Sequence, residues 1–478
     1  MQVLWVIPAL FAAFIALLLI RALRFKPRPA QKPAVQPVEL DGEKTVRDLA
    51  EMIRCRTESY VDLSLIDETE FEKFRALLPK LYPLLHQRCA PERIGRTGIV
   101  YRLAGKSAEK PSVFMAHYDV VPVNAEAWEK PAFDAVVEDG VMWGRGTLDT
   151  KATLCGVLEA AETLLGRGFV PENDMYFAFA GDEETTGNSQ QAIVAAFQER
   201  GVEPAFVLDE GGAVVTKVFP GVSDPCALIG IAEKGLMDIR LSIEGAGGHA
   251  SAPPPHTAVG RLAKAVVDIE SKPFPRKLTK ATRELFDELG RRSGFVYRLI
   301  FANLWCFLPV LDGICKKAGG ELNAMMRTTV AFTRMEGSKA SNVLPPSAMI
   351  GANLRVISGE TVEGTLRRLR ALVPDSGIKL ELVQGMDPSR VSQTEGDVWD
   401  KLTNAIGQTW PDALISPYLM IACSDSRHYS PISDHVYRFS AMALSGEERG
   451  YIHGNNERIP LDKIVTTAEF YVRLLGML

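Results

Sequence analysis

The chain reads MAHYDVVPV at residues 115–123, WGRGTLDTKA at 143–152 and GDEETTG at 181–187, and each segment follows a short apolar run. The side chains in these segments that could bind a cation are His117, Asp119, Asp149, Glu183 and Glu184. Imidazole nitrogen and carboxylate oxygen together suit zinc, and the segments contain no thiolate ligand. The stretch therefore predicts a divalent-metal site.

Strand-like and helical segments alternate around these motifs. The strand-like runs are Ile99–Leu103, Val113–Ala116, Val141–Trp143, Met175–Ala180 and Ala205–Leu208. Apolar residues at helical spacing cover 43–90, 152–165 and 189–200. This alternation predicts an α/β fold with a mainly parallel sheet. Ligands bind such sheets at the carboxyl ends of the strands, where the polar segments lie.

The pattern changes after Lys234, and residues 235–388 read as strand, helix, strand, strand, helix, strand. We expect this α+β (βαββαβ) unit to be a separate domain inserted into the first, with an extra helical insertion at about 274–320. The first domain then comprises 43–234 and 389–478. Its last part contains strand-like runs at Leu419–Ala422 and Phe439–Leu444 and a final helix from Leu461.

The N-terminus differs from the rest of the chain. Val3 to Ile20 is an uncharged apolar run, close to the ~20 residues that cross a bilayer as a helix. Basic residues follow this run rather than precede it, which favours a retained anchor (1–22) over a cleaved signal peptide. A Pro-rich tether (23–42) comes next. The basic flank favours the cytoplasmic face for the body of the protein, although large domains can override that bias.

Composition bounds the remaining possibilities. The 478 residues carry a net charge of −5, which argues against a nucleic-acid partner. The 7 cysteines form no C-x-x-C pair and read as free thiols, which is compatible with a reducing compartment.

Six motifs in order resemble the co-catalytic zinc aminoacylases and carboxypeptidases, the family of carboxypeptidase G and acetylornithine deacetylase. They are AHYDVVP (116–122), GRGTLDTK (144–151), GDEETTG (181–187), LDEGG (208–212), GGHAS (247–251) and HGNNE (453–457). The apolar N-terminus, SDSRHY (424–429) and the helical insertion are most similar to the branch of carboxypeptidase S and the N-fatty-acyl-amino-acid synthase/hydrolases. The resemblance implies a zinc-exopeptidase-like catalytic domain with a lid domain that mediates homodimerisation.

The resemblance also implies two Zn²⁺ ions, with Co²⁺ or Mn²⁺ as substitutes, bridged by Asp149 and a water or hydroxide. His117 and Asp209 would complete the coordination of one ion, and Glu184 and His453 that of the other. Three carboxylates and one hydroxide would offset the charge of two such ions.

Other roles are implied in the same way. Asp119 would orient the imidazole of His117. Glu183 would be the general base that takes a proton from a water whose pKa falls to roughly 7 and passes it to the leaving nitrogen. Family members have a cis peptide after the bridging aspartate, which here would be Asp149-Thr150.

Residues of the second domain match positions that contact substrate. His249 matches the histidine that supports the tetrahedral oxyanion, often across a dimer interface. Asn342 and Arg355 match positions near the scissile bond and the substrate carboxylate, and a guanidinium fork suits a carboxylate. Arg427 is a second candidate for the carboxylate.

Some assignments stay open at the level of the residues. Side chains alternate along a strand, so only one member of Glu183-Glu184 and one of Asp209-Glu210 can point into the site. The family pattern, not the sequence itself, selects among them. The remaining alternatives are His428 or His435 in place of His453, a turn role for His249, and ordinary lid roles for Asn342 and Arg355.

These observations predict a membrane-anchored dizinc hydrolase that cleaves an amide next to a free carboxylate, in a small peptide or an N-acyl amino acid. The alternatives are a deacetylase of a biosynthetic N-acyl amino acid, the reverse condensation reaction, and a catalytically silent scaffold that keeps the fold. Leu and aromatic residues of 274–320 would pack in the core, line an acyl-chain pocket or contact the membrane.

Overall fold

A mixed sheet of ten strands forms the core of the larger domain in the computed structural model, which describes residues 3–28 and 33–478. In chain order, the strands of this and the other sheets are β1 (Glu92–Ile94), β2 (Gly98–Leu103), β3 (Ser107–His117), β4 (Val136–Glu138), β5 (Val141–Trp143), β6 (Asn173–Ala180), β7 (Phe206–Asp209), β8 (Val214–Val215), β9 (Cys226–Glu233), β10 (Gly235–Glu244), β11 (Gly248–His249), β12 (Thr329–Glu336), β13 (Val343–Leu344), β14 (Ser347–Val356), β15 (Ile378–Met386), β16 (Leu414–Met420), β17 (Val436–Arg438), β18 (Ala443–Leu444) and β19 (Arg458–Pro460).

Helices cover both faces of this sheet and form most of the insertion. They are α1 (Val3–Arg24), α2 (Gly42–Ile53), α3 (Glu68–Leu81), α4 (Pro83–Arg88), α5 (Lys151–Gly166), α6 (Ser189–Glu199), α7 (Ala258–Glu270), α8 (Lys280–Arg292), α9 (Phe295–Ala302), α10 (Leu304–Ala318), α11 (Gly320–Ala324), α12 (Val362–Leu372), α13 (Asp397–Thr409), α14 (Gly446–Arg449) and α15 (Leu461–Met477).

The large sheet has the order β1-β2-β6-β3-β7-β17-β9-β8-β18, with β16 paired to β9. Its central pairs, β6-β3, β3-β7 and β7-β17, are parallel. Helix α5 is buried along almost its whole length because it packs between the sheet and α15. The predicted α/β class with a mainly parallel sheet is confirmed.

The smaller domain has an antiparallel sheet in the order β12-β14-β10-β15. Helices α7 and α12 pack on it and share its apolar core, which includes Leu262, Leu354 and Leu369. The strand and helix order is the predicted βαββαβ.

The helical insertion packs differently from the expectation that grouped it with the lid. Helix α8 lies against β16, and its buried face of Leu285, Phe286 and Leu289 joins the core of the catalytic domain. Phe301 of α9 stacks on the same cluster. In the sequence the insertion lies between strands of the lid. In the structure it covers the catalytic sheet, because its apolar face packs against that sheet.

Three elements near the C-terminus also differ from the predictions. Strand β16 begins at Leu414, before the predicted start, because Pro417 is tolerated in a strand that pairs on one side only. The predicted strand 439–444 is a strand only at its end, as β18. Strand β17 stops at Arg438, before the predicted start, and Phe439 and Ser440 donate to the carbonyls of Asp209 and Gly212 and turn the chain. Helix α13 was not predicted.

Within the described residues, α1 is the one helix long and apolar enough by itself to cross a membrane, and α9 with α10 passes the same test as a pair bent by 112°. The predicted tether is not free of the body. Gln36 exchanges hydrogen bonds with Gln408 and Arg473, and Leu40 packs against the core.

Candidate active site

The acidic and histidine side chains of the motifs come together at the carboxyl ends of β3, β6 and β7. His117 ends β3, Glu183 and Glu184 follow β6, and Glu210 follows β7. His453 reaches the same place from the loop before β19. The motif residues therefore meet at the edge of the parallel sheet where ligands usually bind.

Asp149 lies between two histidines. Its Oδ1 is 3.0 Å from Nε2 of His117, and its Oδ2 is 2.9 Å from Nε2 of His453. The peptide bond between Asp149 and Thr150 is cis, as the resemblance predicted. A carboxylate whose two oxygens face different imidazoles has the arrangement of a ligand shared by two metal ions.

A glutamate carboxylate lies beside each of the two histidines. Oε2 of Glu184 is 3.1 Å from Nε2 of His453, and Oε1 of Glu210 is 3.5 Å from Nε2 of His117. Ligand atoms of His117, Asp149 and Glu184 all lie within 4.8 Å of one another, and so do those of His117, Glu183 and Glu210. Each half of the cluster therefore has one imidazole, one glutamate and one oxygen of Asp149.

Of the pair Asp209 and Glu210, the sequence favoured Asp209 as a ligand, whereas Glu210 is the one whose carboxylate lies 3.5 Å from Nε2 of His117. Asp209 is the last residue of β7, and its Oδ2 instead accepts a hydrogen bond from the backbone amide of Ser426 at 3.0 Å. Glu210 is the next residue, so its side chain points to the other side. The chain then packs closely, since a Cβ on Gly212 would lie 1.8 Å from the carbonyl oxygen of Leu228.

Asp119 is fully buried and holds three parts of the site together. Its backbone carbonyl and Oδ1 lie 3.0 and 3.3 Å from Nδ1 of His117, which leaves Nε2 facing the cluster. Its two oxygens also accept from the backbone amides of Glu183 and Glu184 at 3.2 and 3.1 Å. Ser59 donates to Oδ2 at 2.7 Å. Asp119 thus fixes the imidazole and the glutamate pair at once.

Glu457 and Arg145 were present in the quoted motifs but were not singled out from the sequence. Oε1 of Glu457 accepts from the amide of Leu148 at 2.6 Å, and Oε2 accepts from Gly146 at 3.1 Å and from Arg145 at 2.7 Å. Arg145 also donates to the carbonyl of Gly454 at 2.9 Å. The buried pair joins the loop of Asp149 to the loop of His453.

The loop of His453 adopts a conformation that needs such support. The φ of His453 is +59°, in the left-handed region that costs a non-glycine residue ~1–3 kcal/mol. Its side chain is 53% exposed, so the histidine borders the opening of the cluster rather than its floor.

The charges of the cluster fit a metal site. Burial, followed by the charge of Asp149, raises the pKa of Glu210 to about 8, and burial also raises the pKa of Glu183 and Glu184. Oε1 of Glu184 is buried without a hydrogen-bond partner. Ionised carboxylates at this density need nearby cations, and oxygen with imidazole donors suits zinc.

The SDSRHY turn forms one wall of the site. Glu233 accepts from the amide and hydroxyl of Ser424 at 3.1 and 2.8 Å, and from Arg438 at 2.6 Å. This fixes Arg427, whose Nε and Nη1 atoms are buried with no hydrogen-bond partner. The charge of Glu183 is among those that raise the pKa of Arg427, so the guanidinium lies near the predicted base.

Arg355 lies at the edge of the same wall, on β14. Its Nη1 is 3.1 Å from Sγ of Cys423, and its Nε donates to Asn353 at 3.2 Å. Arg355 is therefore close to the turn but already partnered, unlike Arg427.

His249 and Asn342 are not brought to the cluster. Both are exposed in the lid, where β11 pairs with β13 and the amide of Ala250 donates to the carbonyl of Asn342 at 3.0 Å. In 3–28 and 33–478, no hydrogen bond or ion pair joins either to the metal-type residues. His428 and His435, the rivals of His453, also make no such contact.

An apolar cavity of about 180 Å³ is lined by residues that adjoin two members of the cluster in the chain. Its lining includes Gly211, Ile452 and Ala422, of which the first two adjoin Glu210 and His453 in the chain. It extends between the sheet and the helical insertion, along Val215, Leu228, Tyr418, Leu285, Leu289 and Met325. Apart from the paired Glu321 and Arg449, its walls are apolar and suit an apolar group.

The fold and the cluster are those of a metal-dependent hydrolase, with imidazoles and carboxylates at the strand ends as a candidate metal-binding group. The chain belongs to peptidase family M20/M25/M40, whose model matches residues 113–476. The predicted family and the predicted class of enzyme are confirmed.

Two relatives show the extent of the similarity. A Dictyostelium discoideum protein named probable carboxypeptidase S-like 2 is 33% identical over 484 residues, which cover 98% of this chain and 93% of that protein. The N-fatty-acyl-amino acid synthase/hydrolase of Homo sapiens is 34% identical over 370 residues, 77% of this chain and 74% of that protein.

Solved structures share the fold at low identity. An M20 family metallo-carboxypeptidase from Sulfolobus solfataricus matches with a TM-score of 0.67 and 17% identity, over 91% of this chain and 99% of that chain. Human carnosine dipeptidase 1 matches with a TM-score of 0.62 and 14% identity, over 91% and 96%.

Proposed function

We propose that the chain is a two-metal amidohydrolase that cleaves long-chain N-acyl amino acids at the amide next to the free carboxylate. The observation that carries the choice of substrate is the apolar cavity, which starts at residues adjoining Glu210 and His453 and runs beneath α8. A deacetylase or a dipeptidase would have no use for such a cavity. The human relative named above bears the name of an enzyme of N-fatty-acyl amino acids, which agrees with this choice.

Two Zn²⁺ ions would be held by the two halves of the cluster. His117 and Glu210 would bind one, His453 and Glu184 the other, and Asp149 would bridge them, with Co²⁺ or Mn²⁺ as substitutes. When bound, such ions polarise a carbonyl and lower the pKa of water to roughly 7. The near neutrality of three carboxylates, a hydroxide and two divalent ions supports the count of two.

Glu183 would act as the general base and acid. It lies beside His117 and Glu210, and the amide of Glu183 is fixed by Asp119. It would accept a proton from the attacking water and deliver it to the leaving amide nitrogen. Burial raises its pKa, which favours a group that takes up and returns a proton near neutral pH.

Arg427 would bind the substrate carboxylate. Its Nε and Nη1 atoms are buried without partners, and a substrate carboxylate would satisfy one of them with a charged hydrogen bond. Arg355 and Asn342 stay weaker candidates for substrate contacts, because Arg355 is already partnered and Asn342 is exposed on the lid.

His249 would support the oxyanion only from a second copy of the chain, through a dimer of lids. Its exposure on β11 is what such a role requires. Co-expression of Glu183→Gln with His249→Ala should restore activity that each variant lacks alone, because a mixed dimer then has one complete site. No restoration would contradict the shared site.

The chain would be anchored in a membrane by α1. Asn303, which is fully buried, donates to the carbonyl of Leu18 at 3.1 Å, and Arg291 donates to that of Lys26 at 3.2 Å. Cleavage after the apolar run would remove Leu18 and leave the buried amide of Asn303 without this partner, which supports a retained anchor over a signal peptide. The basic flank favours the cytoplasmic face.

The test is hydrolysis by the full chain in vesicles with Zn²⁺, on dipeptides, N-acetyl amino acids and N-oleoyl amino acids. Glu183→Gln should abolish cleavage, and Glu203→Gln, a change at an exposed glutamate, should not. Cleavage of N-oleoyl amino acids supports the proposal. Cleavage of dipeptides alone would make the chain a carboxypeptidase, and no cleavage with metal bound would make it a silent scaffold.

A further inference from the structure

Helices α9 and α10 of the insertion carry an exposed apolar surface. They meet at Asn303 with a bend of 112°. The exposed fractions of Phe295, Val296, Tyr297, Trp305, Val310 and Ile314 range from 42% to 69%. Contiguous apolar surfaces of this kind mark interaction sites in proteins that are otherwise ordinary in composition.

This surface is continuous with the apolar helix α1. The rings of Phe14 and Trp305 meet edge to face with centroids 6.0 Å apart. Arg21 donates to the carbonyl of Ala302 at 3.0 Å, one residue before the bend. The side chains of α1 around these contacts are themselves exposed and apolar, among them Leu17 at 46% and Ile20 at 48%.

Trp305 contacts α1 at the level of Phe14, and this level determines how deep Trp305 lies in a bilayer that α1 spans. Phe14 lies about two helical turns, or ~10 Å, from Arg21 towards the N-terminus of α1. The whole apolar run from Val3 to Ile20 is only ~27 Å long, barely the ~30 Å of a hydrocarbon core. If the level of Phe14 were in water, ~16 Å of helix would remain, which is too short to span. The side chain of Trp305 therefore shares the hydrocarbon with Phe14.

We propose that α9 and α10 enter the same lipid bilayer as α1 and form with it one membrane-embedded unit. Lys316 and Lys317, exposed at the end of α10, then lie near the headgroups, as do Arg21 and Arg24. The unit fixes the orientation of the enzyme on the membrane, because α1 is bonded to the bend and not joined through a loose linker.

The arrangement also brings the bilayer close to the apolar cavity. Phe301 of α9 stacks on Phe219 with ring centroids 4.8 Å apart, and Phe219 lines the cavity. One layer of rings thus separates α9 from the space proposed for the acyl chain.

The proposal rests on the anchor proposed above but not on the substrate, and its test needs no activity. The full chain with Trp5→Phe is reconstituted into vesicles of ordinary lipid and of lipid brominated at mid-chain, and tryptophan fluorescence is measured. Bromolipid should quench the emission, and the further change Trp305→Phe should remove that quenching. Trp128→Phe, at a tryptophan of the catalytic domain, is the matched control and should leave it unchanged.

Each other result overturns the proposal. If the Trp5→Phe protein floats with the vesicles but shows no quenching, the anchor remains supported and the membrane-embedded unit is contradicted. Quenching that survives Trp305→Phe would do the same. Protein that does not float with vesicles would overturn both anchor and unit. A dimer in detergent with no quenching in vesicles would assign the apolar surface to a second copy.

Discussion

At Asp149 and its neighbours, the direction in which each carboxylate oxygen points decides which of the two metal positions a residue can serve. The two oxygens of Asp149 face His117 and His453 separately, so one carboxylate serves both halves of the cluster. Removing one of its oxygens as a ligand would leave one half with only two protein donors. The same reasoning separates Glu210 from Asp209, which are adjacent in the chain but point to opposite sides.

We expect Glu210→Gln to lower bound zinc from two ions per chain towards one, because the amide is a far weaker ligand than a carboxylate. Asp209→Asn should keep both ions and instead loosen the turn at Ser426, whose amide Asp209 accepts. Metal content by mass spectrometry on both variants checks this. Loss of zinc in Asp209→Asn with full zinc in Glu210→Gln would restore the assignment made from the sequence.

Arg427 should carry most of the binding energy for the substrate carboxylate. A hydrogen bond to a charged group is worth ~1.5–3 kcal/mol, so Arg427→Met should lower kcat/KM roughly 10- to 150-fold. A substrate with a carboxamide in place of the carboxylate should lose little between the two proteins. Arg355→Met is the matched comparison, and a larger loss there would assign the role to Arg355.

Single residues differ in how far the sequence could predict them. The order of motifs identified His117, Asp149, Glu183, Glu184 and His453, and the structure brings these together. It could not separate Asp209 from Glu210, because alternation shows that only one of two adjacent side chains faces the site and does not show which one. The role predicted for the exposed His249 needs a second copy of the chain and stays a prediction.

At the scale of elements, the helical insertion gives the catalytic domain a wall that the sheet alone lacks. Leu285 and Leu289 of α8 line the cavity from one side, and the residues around β16 line it from the other. The sequence revealed a helical, apolar insertion but placed it with the lid, because contiguity in the chain does not show which surface an apolar face will cover.

Narrowing the cavity near the metal site should separate long substrates from short ones. Ala422 is exposed and lines that end, so Ala422→Phe should fold and obstruct the acyl chain. Excluding even two methylene groups costs ~1.6 kcal/mol, roughly 15-fold in kcat/KM for N-oleoyl amino acids. N-acetyl amino acids should be cleaved at the former rate.

The matched control is Ala371→Phe, at an exposed alanine on α12 of the lid. This variant should leave kcat/KM unchanged for both N-oleoyl and N-acetyl amino acids. An equal loss for both acyl groups in Ala422→Phe would show that the cavity is not the acyl site.

At the scale of the whole molecule, the metal ions should determine how stability depends on pH. Without metal, the pKa of Glu210 is raised to about 8 by burial and Asp149, and that of His453 to about 10 by hydrogen bonds to Asp149 and Glu184. Both groups bind protons more tightly in the folded chain. Their stabilisation is therefore complete at low pH and is lost as pH rises through these values.

We accordingly expect the metal-free protein to become less stable between about pH 6 and about pH 8, by on the order of 1–3 kcal/mol for Glu210 alone. The zinc-loaded protein should not, because metal replaces the protons and binds better as they leave. Urea unfolding with and without chelator measures the difference. Parallel curves for the two forms would contradict the assignment of these groups to the metal site.

The arrangement of whole domains was predicted in part. Alternating strands and helices, then a βαββαβ segment, then a return to the first pattern were enough for the class and the insertion of one domain in another. The sequence did not predict the packing of α1 against α9 or of residues 33–41 along the catalytic domain, because this packing depends on single contacts such as Asn303 with Leu18.

The most direct test of the account is a zinc titration of the metal-free full chain in vesicles, followed by the rate of N-oleoyl amino acid hydrolysis. We predict activity that rises until two equivalents are bound, and no activity in Glu183→Gln at the same zinc content. Full activity in Glu183→Gln, or none in the unchanged chain with two zinc ions bound, would contradict the central claim that this cluster is a two-metal centre for amide hydrolysis.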